Sequence, residues 1–133
     1  MLFGKRERVV NKILIVEDEP LTAFDNETMV ADAGYEVVAT LDKEKVDLIL
    51  CDVRLSGERT GMDLARIAKD RGIPVIFSTG LAPDNASDLV LGCLMKPYNE
   101  RTLKAALRAV DRLLAGERPK PPKGLILYGE AVS

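Results

Sequence analysis

Four apolar runs in this chain each end in polar residues of a different chemical kind. Ile13 to Val16 runs into Glu17 and Asp18, Leu48 to Cys51 into Asp52, Val75 to Phe77 into Ser78 and Thr79, and Leu94–Met95 into Lys96 and Pro97. If these runs are parallel strands of one sheet, their carboxyl ends meet at one edge, where open α/β sheets collect ligands. Carboxylates, a hydroxyl and an ammonium would then line one crevice, a set suited to a divalent cation and a phosphoryl group.

Asp52 is the candidate nucleophile. A carboxylate can attack phosphorus to give an aspartyl phosphate, and it needs no base because it is already ionised near neutral pH. The obstacle is charge, since an anion must approach an anionic phosphoryl group. Mg2+ and Lys96 would supply the compensating positive charge, and Thr79 can donate a hydrogen bond to a phosphoryl oxygen. Glu17, Asp18 and Asp52 offer oxygen ligands of the kind Mg2+ takes while keeping several waters. Taken singly, each feature has an ordinary reading: solvated loop acids, a surface lysine, a strand-end hydroxyl. A cis peptide bond at Lys96–Pro97 would aim the lysine inward.

These residues need a scaffold, and the rest of the chain supplies one. Ile13–Val16 is a continuous apolar run of the kind buried on both faces of a sheet. Pro20 suits the first turn of a helix. Leu21, Phe24, Thr28 and Ala31 share one helical face, and Gly34 suits its stop. Tyr35–Ala39 and Val46–Cys51 read as second and third strands. Gly57 and Gly61 bracket a loop, after which Leu64, Ile67 and Ala68 form a helical stripe ending near Gly72. A fourth strand spans Val75–Ser78, a short helix lies between Asp84 and about Val90, and a short fifth strand contains Leu94–Met95. Leu103, Ala106, Leu107, Val110 and Leu113 make the clearest amphipathic helix, ended by Gly116. Five strands interleaved with helices give a parallel α/β sheet covered on both faces. The connections Thr40–Asp47 and Leu81–Gly92 are short for parallel crossovers, which usually need about a dozen residues or more.

Length and composition bound the rest. The chain has 133 residues, 47% hydrophobic and 30% charged, with a net charge of -2 and no histidine. One domain is expected, with no electrostatic case for nucleic acid. Histidine-based triads and metal sites are excluded, and any phosphohistidine must belong to another protein. Cys51 and Cys93 lie in apolar runs without CxxC spacing and read as reduced core thiols. No apolar stretch approaches the ~20 residues of a membrane span, and the first residues lack a signal-peptide pattern, so a cytoplasmic location is expected. The expected organisation is an N-terminal extension (residues 1–10), one domain (11–115), and a Pro/Lys/Gly-rich tail (116–133). Within the tail, Leu125–Tyr128 either adds a strand to a sheet edge, its own or another molecule's, or stays solvated.

The motifs ILIVEDEP (13–20), LILCDVRL (48–55), PVIFSTG (74–80) and MKP (95–97), in this order, resemble the receiver domains of two-component response regulators. The resemblance spans about Asn11 to Ala115. It implies a flavodoxin-like, doubly wound five-stranded parallel sheet in the order 2-1-3-4-5, here with the second and fourth helices short or missing. It also implies that Asp52 is the phosphoacceptor. Asp18, Asp52 and the backbone carbonyl of Arg54 would bind Mg2+, Glu17 would assist through water, and Thr79 and Lys96 would hold the phosphoryl group. PVIFSTGL further resembles a diverged PFxFATGY, which marks a subgroup of single-domain receivers. Two positions depart from the family pattern: Cys93 stands where a switch aromatic is usual, and Ser56 where a proline is frequent. Tyr98 lies near the lysine but is not at the equivalent position.

The implied partners are a histidine kinase or histidine phosphotransfer protein as donor and a downstream protein as output, since no DNA-binding or catalytic segment follows Ala115. A phosphate shuttle or sink is the other form this takes. The family's signalling surface is the fourth helix, fifth strand and last helix. The last helix carries Arg101, Lys104, Arg108 and Arg112, which make either a solvated basic face or a docking surface, and homodimerisation there is one expectation. An aspartyl-phosphate phosphohydrolase would generally carry a second acid two residues after the nucleophile, where this chain has Arg54, so the chain is not expected to be an enzyme. The remaining alternative is a receiver-like module that binds partners without phosphorylation.

Overall fold

Short runs of β-branched and leucine residues flanked by turn residues become strands here, and the computed structural model shows how they are joined. It describes residues 8–39, 45–54 and 60–128. Ser56, Gly57 and the Thr40–Glu44 part of the short second connection lie outside the described residues. The elements are β1 (Lys12–Val16), α1 (Pro20–Asp32), β2 (Glu36–Val38), β3 (Leu48–Asp52), α2 (Gly61–Asp70), β4 (Val75–Thr79), a 3-10 turn (Ala86–Asp88), β5 (Gly92–Met95), α3 (Glu100–Leu114) and β6 (Leu125–Leu127). The sheet order is β2-β1-β3-β4-β5-β6. The first five strands run parallel and β6 pairs antiparallel to β5. This is the doubly wound flavodoxin-like order with one strand more than the five expected: the tail does add a strand, to the edge of its own sheet.

Alternate strand residues feed two cores. Ile13, Leu48, Leu50, Ile76 and Leu94 meet Val30 of α1 and Leu103, Leu107 and Val110 of α3. On the other face Leu14, Ile49, Cys51, Val75, Phe77 and Cys93 meet Ala65 and Ala68 of α2. The central strand β4 is buried along its whole length, which explains why it reads as a continuous apolar run.

Helix starts follow local chemistry. Glu19 caps α1 through its side chain with Pro20 at the first position, Thr60 and Asp63 form a capping box on α2, and Asn99 caps α3, each satisfying amide groups left free in a first turn. Gly34 (φ +96°) ends α1 in a conformation other residues resist. Leu21, Phe24, Thr28 and Ala31 do share a face, but it is the solvent face; Asn26 and Val30 are the buried residues. The helix needs no broad apolar stripe, because one side chain of its buried face is a hydrogen-bonding Asn26.

The third strand begins at Leu48 rather than Val46. Asp47 instead accepts hydrogen bonds from the Asn11 and Lys12 amides, both at 2.9 Å, and so ties the entry of β3 to β1. The second strand spans only Glu36–Val38. Between β2 and β3 no helix occurs among the described residues, and between β4 and β5 only the 3-10 turn does. The chain before β1 is fastened as well: Asp111, buried in α3, accepts the Val9 and Val10 amides at 2.9 and 2.8 Å.

Gly61 links this scaffold to the chemistry. The first turn of α2 lies so close to the end of β3 that a Cβ on Gly61 would stand 2.6 Å from the Asp52 carbonyl oxygen and 2.7 Å from Val53 Cα. Backbone cannot yield as a flexible side chain can. Gly61→Ala is therefore expected to lower stability by about 1–3 kcal/mol, the usual range for overpacking, as read by urea denaturation. A variant as stable as the parent would contradict this packing.

Candidate functional site

Parallel pairing brings the C-terminal ends of β1, β3, β4 and β5 to one edge. β1 leads into Glu17, whose side chain is 4% exposed. Its Oε2 accepts the Glu19 amide at 3.2 Å, while Oε1 is buried with no hydrogen-bond donor. β3 ends in Asp52, 12% exposed. Its Oδ1 accepts the Arg54 amide at 2.9 Å. After β5, Lys96 reaches back across the edge, with Nζ 3.3 Å from Asp52 Oδ2 and 3.5 Å from Glu17 Oε1. One ammonium thus joins carboxylates from two strands. The Lys96–Pro97 peptide bond is cis.

The other expected residues are placed less centrally. Asp18 follows Glu17 at an exposed position. Arg54 is exposed, and its amide rather than its side chain engages Asp52. Thr79 closes β4 beside Lys96, whose amide donates to the Thr79 carbonyl at 2.8 Å. Its hydroxyl, however, donates to the Leu81 carbonyl at 2.9 Å, so it must turn to meet a ligand over Asp52.

Burial and charge set the electrostatics. Desolvation pushes the Glu17 carboxyl above its ordinary range and the neighbouring Asp52 carboxylate adds to the rise; the Glu19 amide and Lys96 only partly offset them. For Lys96 burial alone would lower the ammonium, but the Asp52 hydrogen bond and charge, with Glu17, outweigh it and leave it raised. Cys51 lies beneath, its thiol pushed up to about 12 by burial and then by the charges of Asp52, Glu17 and Asp18. It is an inert core thiol, and both cysteines are free and buried.

The residues fit Mg2+. Glu17 Oε1 accepts no hydrogen bond and shares the Lys96 ammonium with Asp52, so a further cation beside the two carboxylates lowers the energy. Among the described residues no group of three or more His, Cys, Asp and Glu side chains forms a ready cage.

Beside Lys96, Tyr98 donates to Asn26 Oδ1 at 2.8 Å and sits 3.2 Å from Ser78 Oγ. Asn26 and Ser78 are 3% and 2% exposed. This network clamps the loop after β5 to α1. An amide at mid-helix is the signal of it in the sequence, and nothing there pairs Asn26 with Tyr98. A cavity of about 270 Å³, lined by Thr22, Asp25, Asn26, Met29, Lys96, Pro97 and Tyr98, opens next to it. Cys93 faces the tail: its Sγ is 3.2 Å from the Tyr128 hydroxyl.

Comparison with known proteins agrees with this geometry. Residues 13–108 match the response regulator receiver domain family. The chain is 36% identical over 118 residues to the transcriptional regulatory protein CpxR of Klebsiella pneumoniae, covering 77% of this chain and 50% of that protein. It is 27% identical over 125 residues to the phyllosphere-induced regulator PhyR of Methylorubrum extorquens, covering 85% of this chain and 36% of that protein. The chain thus spans about half or less of these relatives. Among solved structures, the chemotaxis protein CheY4 of Vibrio cholerae superposes with a TM-score of 0.64 at 24% identity, over 78% of this chain and 98% of that one, and so shares the fold.

Glu17 offers a direct check of the electrostatics. A carboxyl raised in the folded state adds stability below the ordinary glutamate value of 4.5 and loses it as pH rises through its raised value. At neutral pH the ionised form therefore destabilises. Without Mg2+, Glu17→Gln is expected to melt roughly 2–5 °C above the parent at neutral pH, with the difference closing as pH falls. Added Mg2+ should raise the parent more than the variant. Equal melting across the pH range would contradict this assignment.

Proposed function

The chain belongs to the response regulator receiver domain family, and from that premise we propose that it accepts a phosphoryl group on Asp52 from a phosphohistidine of a partner protein. Receiver domains are signalling modules rather than turnover enzymes, and the reading keeps to that. The observation that carries it is the Lys96 ammonium held between Asp52 and Glu17 across the strand ends.

The residues divide the work. Asp52 attacks phosphorus as the N–P bond to the donor's phosphohistidine breaks; the ring, protonated on its other nitrogen, takes the N–P electron pair and leaves as neutral imidazole. Lys96 moves from carboxylate oxygens to a phosphoryl oxygen, so that positive charge follows the transferred group. The Thr79 hydroxyl turns from Leu81 towards another phosphoryl oxygen. The Arg54 amide holds Asp52 Oδ1 and fixes the carboxylate plane. Glu17, Asp18, Asp52 and the Arg54 carbonyl are the groups that would hold Mg2+. When bound, the ion supplies positive charge to the phosphoryl oxygens.

A donor needs a landing place, and the exposed face of α1 provides one. Leu21 and Phe24 are 75% and 66% exposed, and Leu81, just after β4, is 77% exposed. Large apolar side chains exposed near the strand ends fit docking by a histidine kinase or histidine phosphotransfer protein. Output goes to a downstream protein, or through a second copy, or the chain serves as shuttle or sink. The unit that does this is residues 11–115, with 1–10 and 116–133 as appended segments. The reading places it in the cytoplasm; no helix among the described residues is long and apolar enough to cross a membrane.

Incubation with acetyl phosphate and Mg2+ is expected to add one phosphoryl group by intact mass, and Asp52→Asn to abolish the addition. Phe24→Ala should slow transfer from a phosphohistidine protein roughly tenfold and leave acetyl phosphate labelling unchanged. No adduct with either donor would favour the alternative, a module that binds without modification.

A further inference from the structure

β5 lies between the site and the tail. On its inner side Thr79 and Met95 are register partners, and the Lys96 amide donates to the Thr79 carbonyl at 2.8 Å. On its outer side the Met95 amide donates to the Gly124 carbonyl at 2.8 Å, and the Tyr128 amide to the Leu91 carbonyl at 2.9 Å. One residue, Met95, therefore separates the amide bonded to Thr79 from the amide bonded to the tail.

The tail fits this edge specifically. A Cβ on Gly92 would collide with the Ile126 carbonyl oxygen, so the close approach of β6 depends on that glycine. Leu125 and Leu127 are 5% and 4% exposed and enter the core beneath α1 and α3. Tyr128 packs on the opposite core, its hydroxyl against Cys93. Yet β6 is only three residues long. It is joined to α3 by a tether with Pro119, Pro121 and Pro122 and exposed Arg118, Lys120 and Lys123. Short edge elements on such tethers open without the rest of the fold.

We infer that β6 is a displaceable cover on the outer edge of β5, and that modification of Asp52 loosens it and uncovers that edge and Cys93. The inference rests on Asp52 being the phosphoacceptor. Loosening is the expected direction because both site residues next to β5 must move: the Thr79 hydroxyl leaves Leu81, and Lys96 leaves Glu17. The Met95 amide that holds Gly124 and the Lys96 amide that holds Thr79 are consecutive along the chain, so a shift of Lys96 is felt one residue away at the tail's hydrogen bond. Linkage makes the effect reciprocal: undocking the tail must favour the modified state by the same factor.

Hydrogen exchange on the full chain, with and without Mg2+ and beryllofluoride as phosphoryl mimic, tests this. Fluorine NMR establishes that the mimic is bound. Exchange at Met95 and Tyr128 is expected to rise at least about fivefold, the lower end of typical couplings. Alkylation of Cys93 should rise with it, and that of Cys51 should not. Gly92→Ala, which expels the tail without touching the site, should bind beryllofluoride at least about fivefold more tightly. Tyr128→Ala, a milder change, should shift affinity the same way if the first variant does not fold. Unchanged or slower exchange in protein that holds the mimic, or unaltered affinity in the folded variants, overturns the coupling alone. Failure to bind the mimic at all overturns the reading of Asp52 and the coupling with it.

Discussion

Two carboxylates that burial would keep apart are held together by one ammonium. Glu17 and Asp52 come from strands that pair with each other, and their charges would repel at a poorly solvated edge without Lys96 between them. A buried charge persists only where it is paired. Much of the sheet can be understood as the means of meeting that condition. β3 pairs with β1 on one side and β4 on the other, β4 pairs with β5, and the lysine arrives at the end of β5 from the far side of the crevice. The Tyr98–Asn26 hydrogen bond then fastens the loop that carries it. The same ammonium that neutralises the resting site is the group a phosphoryl oxygen would take over, so one interaction serves both states.

How much of this was legible in the sequence depended on whether the signal was local. The strand ends were legible because apolar runs stop abruptly at Glu17, Asp52, Thr79 and Lys96, and parallel pairing puts such ends side by side. The short second and fourth connections were legible from residue counts alone. The burial of α1 was not. Leu21, Phe24, Thr28 and Ala31 share a face, but only the structure shows that this face meets solvent while Asn26 and Val30 turn inward, where a polar partner on a distant loop satisfies Asn26. Periodicity reveals that residues share a face but not which way the face points. Asp111 was hidden for the same reason: a carboxylate within an amphipathic helix looks solvated until the amides of Val9 and Val10 reach it. The orientation of the Thr79 hydroxyl towards Leu81 is a rotamer choice that residue types do not fix.

The region around β5 departs most from the regular pattern. The fourth helix is reduced to a 3-10 turn, and the outer edge of β5 is covered by β6. The surface that the family resemblance would assign to output is therefore altered on both counts. Cys93, where an aromatic was expected, is instead covered by an aromatic from the tail, Tyr128. Gly92 accommodates that strand because a side chain there would collide with it. The candidate site and the edge covered by the tail thus share a single short strand.

The central claim is that the phosphoryl group resides on Asp52, held by Lys96. Borohydride reduces an acyl phosphate to an alcohol, which at an aspartate leaves homoserine. After treatment with a phosphoryl donor and Mg2+, peptide mapping of the reduced protein is predicted to find homoserine at position 52 and not in untreated protein. Homoserine at position 18, a phosphoryl group retained on a hydroxyl, or no reduction product at all would contradict the account.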